Sequence, residues 1–292
     1  MLQEMAGLGF SHVELSHGVR LTLAPGVLRA VEAGVVKISS CHNFCPLPPG
    51  VVHAAPNLFE PSAVGHRERL QWVRQTKRSI DFAAQVGARV LVCHLGHVDF
   101  FWFSPLSNVR RYLRDHPRAR LVDDPAWAVV RERALVRLRA RRARHWPHVL
   151  DCIREVLGYA VEKGITLGFE NREALDELPL DEDFAELFAS LPTGAPVGYW
   201  HDAGHAAIKE SLGILDYEAH LARNAEHLVG WHLHDVDAER RDHRPIGAGL
   251  TDFRKLSRFW KPEHALVLEL SPGVPVESVI ASRERIAACL PV

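Results

Sequence analysis

The chain has 292 residues, 47% of them hydrophobic, and a mean hydropathy of -0.08, enough apolar length to bury a large core. Thirty-five basic against 36 acidic side chains leave a net charge of -1, which gives no overall field for a polyanion and argues against tight nucleic-acid binding. The N-terminus lacks a basic segment followed by an apolar core, no apolar run approaches the roughly 18 residues of a membrane span, and five irregularly spaced cysteines read as reduced thiols, with Cys41 and Cys45 as packing residues, so a cytoplasmic enzyme without a membrane partner is expected.

The chain opens in a helix, since Leu2, Met5 and Leu8 have helical spacing and Gly9 reads as its cap. Strands are predicted at 11–16 and 35–40, then a helix at 66–86 and a strand at 89–94. Helix 145–163 leads into strand 165–170, helix 181–190 into strand 197–202, and helix 216–226 into strand 229–234; a last strand covers 265–270. Glycines mark the helix-to-strand joins before residues 11, 89 and 165, where a left-handed cap ends each helix. This alternation predicts βα units, a parallel sheet and an α/β barrel of the (β/α)8 type in one domain, 1–292. Seven strands are visible and the opening helix has none before it, so the first strand is expected to be lacking or truncated, through a late start or an open barrel. Exposed edges would then favour a covering helix or a homodimer.

Between His97 and Trp146 the alternation breaks. Phe100, Phe101, Trp102 and Phe103 lead into a stretch with Arg131, Arg133, Arg137, Arg139, Arg141, Arg142 and Arg144 that reads as helical in its second half. This Arg-rich insertion, about 97–147, follows a strand end and is expected over the catalytic face. A lid, a dimer contact, a basic surface for a phosphorylated substrate and a solvated helix with an anchored start all fit it.

Five short apolar runs end in metal-type ligands: VLVCH at His94, ITLGFE at Glu170, VGYWHD at Asp202, LVGWH at His232 and ALVLE at Glu269. Continuous apolar runs are buried strands, and their carboxyl ends are where parallel α/β folds place chemistry. Glu170, Asp202, His232 and Glu269 form the best ligand set, because carboxylates and imidazole hold a divalent cation and leave positions for substrate oxygens. One such residue alone would be a helix cap or a core histidine. His205 follows Asp202 by three in HDAGH, and the Ala-Gly between them suits a tight turn. His42 in SSCHNF, His94 in CHLGH and His243 before Pro-Ile-Gly-Ala-Gly read as second-metal ligands or substrate contacts. His234 and Asp235 read as supporting residues; His12, His17, His53 and His66 read as ordinary. No GxGxxG, P-loop or GxSxG occurs.

With LGFEN at 167–171, HDAGH at 201–205, WHLHD at 231–235, HRPIGAGLTDF at 243–253 and LVLEL at 266–270, the chain resembles the xylose isomerase-like TIM barrels. That family includes sugar isomerases, ketose 3-epimerases, inosose dehydratases and endonuclease IV type nucleases. The resemblance runs from about residue 2 to 285 outside the insertion. It implies one manganese, magnesium or cobalt ion, with zinc possible, on Glu170, Asp202, His232 and Glu269. Glu170 and Glu269 would also move protons, and His205 would touch substrate oxygens. The nuclease branch uses three zinc ions, and His42, His94, Glu170, Asp202, His205, His232, His243 and Glu269 all match it. An aspartate two residues before the last histidine is replaced by Arg241, a cation expected to oppose a third metal.

The resulting expectation is a divalent-metal-dependent isomerase or epimerase acting on a ketose or keto-polyol through an enediolate. Its partner would be a small sugar or polyol, walled by Trp102, Trp200 or Phe44. The alternatives are a metal-dependent dehydratase, a zinc phosphodiester hydrolase, and a sugar-binding barrel without turnover.

Overall fold

The computed structural model describes residues 1–100, 102, 104–118, 120–249 and 251–290. Phe101 and Phe103 of the aromatic cluster and Leu250 of the HRPIGAGLTDF segment lie outside the described residues. All seven predicted strands are present, with ends moved by no more than two residues: β1 His12–Leu15, β2 Lys37–His42, β3 Val90–Cys93, β4 Thr166–Glu170, β5 Val197–Asp202, β6 Leu228–Leu233 and β7 Ala265–Leu268. Their sheet order is their chain order. The α-helices are α1 Leu2–Gly7, α2 Ala24–Glu32, α3 His66–Gln85, α4 Leu106–Asp115, α5 Pro125–Arg142, α6 Trp146–Lys163, α7 Asp183–Ala189, α8 Ala203–Ser211, α9 Tyr217–Asn224, α10 Phe253–Ser257 and α11 Val276–Ala287. No helix of the described residues is long and apolar enough to cross a membrane.

The chain divides into two interleaved units. The first is Met1–His97, Ala143–Glu170 and Glu182–Tyr199. Here β1 to β4 pair in parallel, in registers such as Cys41 with Leu91 and Leu91 with Leu167. β3 is buried along its whole length, as its uninterrupted apolar run requires. Helix α3 turns Trp72, Val73, Thr76, Ile80 and Ala83 inward at helical spacing and packs on α6, which contributes Val149, Ile153, Val156 and Ala160. Gly164 ends α6 at φ 68, and the following N–H groups close back on Val161 and Ala160. This left-handed cap turns the chain into β4. Cys41 and Cys45 are fully buried; the Cys45 thiol first and burial second push the Cys41 thiol well up, which keeps it protonated and inert.

The second unit is Val98–Arg142, Asn171–Asp181 and Trp200–Val292. β6 and β7 pair in parallel, with His232 beside Val267. The insertion holds two helices, α4 as well as the expected α5. Helix α5 buries Trp127, Ala134 and Leu138, while the Trp127 indole N–H and the Arg131 guanidinium donate to the carbonyls of Leu212 and Gly213, each at 2.8 Å. Its remaining arginines include Arg137 and Arg141, whose guanidinium carbons lie 5.7 and 6.0 Å from the Phe100 ring centre.

Candidate functional site

In the first unit, the ends of β2, β3 and β4 bring His42, His94 and Glu170 together, with their ligand atoms mutually within 4.8 Å. Nδ1 of His42 lies 3.1 Å from the Asn43 carbonyl, and Nδ1 of His94 lies 3.1 Å from the Asn57 side-chain oxygen. Both partners are acceptors, so each Nδ1 carries the hydrogen and each Nε2 presents a lone pair. Those Nε2 atoms face Glu170 Oε2 at 3.9 and 2.8 Å. Two imidazole nitrogens and a carboxylate oxygen converging in a buried cluster call for a shared positive charge, a proton or a metal ion, so this donor set fits a metal ion. Asn57 carries no motif in the sequence and was missed. His17, read there as ordinary, stands edge-on to His42 with ring centres 4.9 Å apart.

In the second unit, Asp202 is both the last residue of β5 and the N-cap of α8, accepting the His205 N–H at 2.7 Å through Oδ1. His232 ends close to two carboxylates: its Nδ1 is 3.0 Å from Glu269 Oε2 and 3.7 Å from Asp202 Oδ2. Asp202 and His232 are fully buried, whereas the Glu269 side chain is 29% exposed. One imidazole nitrogen between two acceptor-only groups has one hydrogen at most to offer them, so a cation fits here too. Trp200 and Phe44 are buried rather than open to a ligand, and the Trp200 ring packs edge-on to His232 at 5.1 Å.

His205 and His243 both bring Nε2 towards the Asp242 carboxylate. Nδ1 of His205 donates to the Asn171 carbonyl at 2.9 Å, and Nδ1 of His243 donates to the Glu269 carbonyl at 3.0 Å. Asp242 Oδ2 lies 3.9 Å from one Nε2 and 3.4 Å from the other. Ligands about 2.05 Å from a tetrahedral zinc sit roughly 3.3 Å apart, so this trio has nearly the spacing of a coordination shell. The Arg241 guanidinium pairs with Asp237 at 2.8 Å and Glu239 at 3.0 Å and is largely exposed. Asp242, the next residue, supplies the anion. Arg240 and His243, on either side of this pair, adopt left-handed φ values of 60 and 50.

Supporting contacts complete the second unit. His234 Nε2 donates to Asp202 Oδ2 at 3.0 Å, while its Nδ1 accepts the His243 N–H at 2.9 Å. Burial opposes charge on His234, but Asp202, Glu269 and Asp242 pull its pKa up to about 9. Because Nδ1 is already occupied as an acceptor, the hydrogen bonds fix the neutral Nε2–H form, and a cation on the carboxylates removes the upward pull. His201, beside Asp202 in the chain, is held neutral chiefly by burial, which keeps its pKa well down. Gly204 is helical, not a special turn: a Cβ there would lie 2.1 Å from the His234 ring. Asp235 is fully buried and accepts backbone N–H groups of Val236, Gly247, Gly249 and Thr251, as a supporting residue should.

A family profile described as xylose isomerase-like TIM barrel matches residues 2–261. No curated protein matches. Among solved structures, a 3-keto-D-glucoside 4-epimerase from E. coli, in its apo form, is 15% identical, covering 99% of this chain and 93% of its own with a TM-score of 0.67. A D-tagatose 3-epimerase-like protein is 15% identical over 98% and 91%, with a TM-score of 0.66. A D-psicose 3-epimerase from Clostridium cellulolyticum H10, solved with D-tagatose, is 10% identical over 100% and 93%, with a TM-score of 0.66. At these identities the likeness is one of fold.

Proposed function

The chain belongs to the xylose isomerase-like TIM barrel family, and from that premise we propose that it is a divalent-metal-dependent isomerase or epimerase of a small ketose or keto-polyol. Asp202, His232 and Glu269 hold the ion together with Glu170, the fourth member implied by the sequence resemblance. Manganese, magnesium or cobalt suits this carboxylate-rich set, and zinc is the alternative. The observation that carries the proposal is the approach of the buried His232 imidazole nitrogen to the Asp202 and Glu269 carboxylates.

The ion supplies Lewis-acid polarisation of a carbonyl and its neighbouring hydroxyl, which acidifies the intervening C–H. Glu269 is the group open enough to meet substrate, with its side chain 29% exposed. One of Glu269 and Glu170 takes the α-proton as the enediolate forms, and the other returns a proton to carbon. His205, whose Nδ1 is tied to the Asn171 carbonyl, directs Nε2 outward to hold a substrate oxygen or a second ion.

Elemental analysis of the purified chain, followed by α-proton exchange on a ketose panel in deuterated water, tests the proposal. One manganese, cobalt or magnesium ion per chain with exchange at the α-carbon is the expected result. Glu269→Gln should abolish exchange, and Asp202→Asn should lower metal affinity; normal activity in either variant would remove the assignment. Loss of water after proton abstraction would identify a dehydratase.

A second reading is favoured by the two further donor trios, His42–His94–Glu170 and His205–Asp242–His243. These suit additional zinc ions, as a phosphodiester hydrolase would use. Two or more zinc ions per chain, lost in Asp242→Asn, would turn the search to phosphodiesters.

A further inference from the structure

Asp202 is held through both backbone groups and both carboxylate oxygens. Asn171, itself 1% exposed, grips the Asp202 peptide from both sides: its Nδ2 donates to the Asp202 carbonyl at 3.0 Å and its Oδ1 accepts the Asp202 N–H at 2.7 Å. The carboxylate is held as well. Oδ1 accepts the His205 N–H, and Oδ2 accepts His234 Nε2–H. Oδ2 also approaches His232 Nδ1, at 3.7 Å, and His205 Nδ1, at 3.6 Å.

We propose that Asn171 and His234 are positioning residues that present Asp202 to the metal through one oxygen, and that this restriction favours small divalent ions over calcium. The inference rests on the metal-binding function proposed above and adds to it the residues that set affinity and choice of ion. Calcium takes six to eight oxygens and commonly engages both oxygens of a carboxylate, whereas manganese, zinc and magnesium accept fewer and more closely placed ligands. A carboxylate whose two oxygens are both already engaged cannot swing round to chelate. Asn171 also tethers His205 through its own carbonyl, so one residue, directly following Glu170 in the chain, orients two candidate ligands. It touches neither the ion nor substrate; it acts through Asp202 and His205.

Calorimetric titration of the full-length chain with Mn2+ and separately with Ca2+ tests this, alongside the melting temperature of the metal-free protein. Asn171→Asp keeps an acceptor for the Asp202 N–H, loses the donor to its carbonyl, and adds a negative charge. If positioning dominates, Mn2+ binding weakens about tenfold to a hundredfold despite that charge, and the ratio of Ca2+ to Mn2+ affinity rises. A merely structural role would lower the melting temperature and leave the ratio alone. His234→Gln, which retains an N–H for Asp202, should keep most of the affinity that His234→Phe loses; this pair carries the test if Asn171→Asp does not fold. Unchanged or tighter Mn2+ binding in folded Asn171→Asp, with an unchanged ratio, overturns the inference while leaving the metal site standing. A wild-type chain that binds no Mn2+ overturns the proposed function, and this inference falls with it.

Discussion

Asp235 shows how one buried side chain organises a loop. Its Oδ2 accepts the N–H groups of Gly247 and Gly249 at 3.0 and 2.8 Å and its Oδ1 those of Val236 and Thr251, so a single anion gathers the backbone at residues 236, 247, 249 and 251. Replacing one oxygen by NH2 sets a donor against donors. Asp235→Asn is therefore expected to cost about 1–3 kcal/mol, read as a lower urea midpoint with an unchanged slope. His220 makes a second case. Burial first holds its pKa down, to about 4, so it stays neutral in the fold but protonates near 6.5 once unfolded. The unfolded chain then binds more protons between those values, and stability that is complete above 6.5 is lost as pH falls towards 4. The loss amounts to roughly 3 kcal/mol from this group. In His220→Gln, the fall in stability between pH 7 and pH 4 should be smaller by that amount in parallel urea titrations.

Helix ends separate two glycines that look alike in the sequence. At Gly164 the conformation matters: φ is 68 and a Cβ would meet nothing within 4 Å, so Gly164→Ala should cost only about 1 kcal/mol of left-handed strain. At Gly204 the space matters, because α8 runs against His234 and a methyl would overlap its ring. Gly204→Ala should cost about 1–3 kcal/mol in overpacking and, by displacing His234 from Asp202, weaken Mn2+ binding as well. Chemical denaturation and metal titration of both variants distinguish the two mechanisms. The Arg-rich α5 was legible as a helix, yet the contacts that seat it, Trp127 and Arg131 on the Leu212 and Gly213 carbonyls, join residues some eighty positions apart. No periodicity records such pairs.

For the molecule as a whole, a bound ion adds to stability by mass action, since the unfolded chain has no assembled site. At a free concentration a hundred times its dissociation constant it contributes about 2.7 kcal/mol. Treatment with EDTA should lower the melting temperature, and readdition of Mn2+ should restore it; a melting curve indifferent to both would argue against any resident metal.

The sequence by itself determined the strands and placed candidate ligands at their ends. β3 to β6 are largely buried, and burial writes a continuous apolar run that stops where the chain turns; half-buried β7 carries the same apolar run, so Glu170, Asp202, His232 and Glu269 could be named as candidates from position alone. Helix α8, which begins at once after the last residue of β5, was missed because no polar gap separates the two elements; α11 was missed although the turn residues Ser271, Pro272 and Gly273 precede it. Tertiary structure alone decided which nitrogen each histidine presents, through Asn43, Asn57, Asn171 and the Glu269 carbonyl. It also decided that Asp242 rather than Arg241 stands beside His205 and His243. The physical reason is that hydrophobic period encodes which face of an element is buried, whereas the aim of a side chain depends on hydrogen-bond partners and backbone angles that exist only once distant segments have packed.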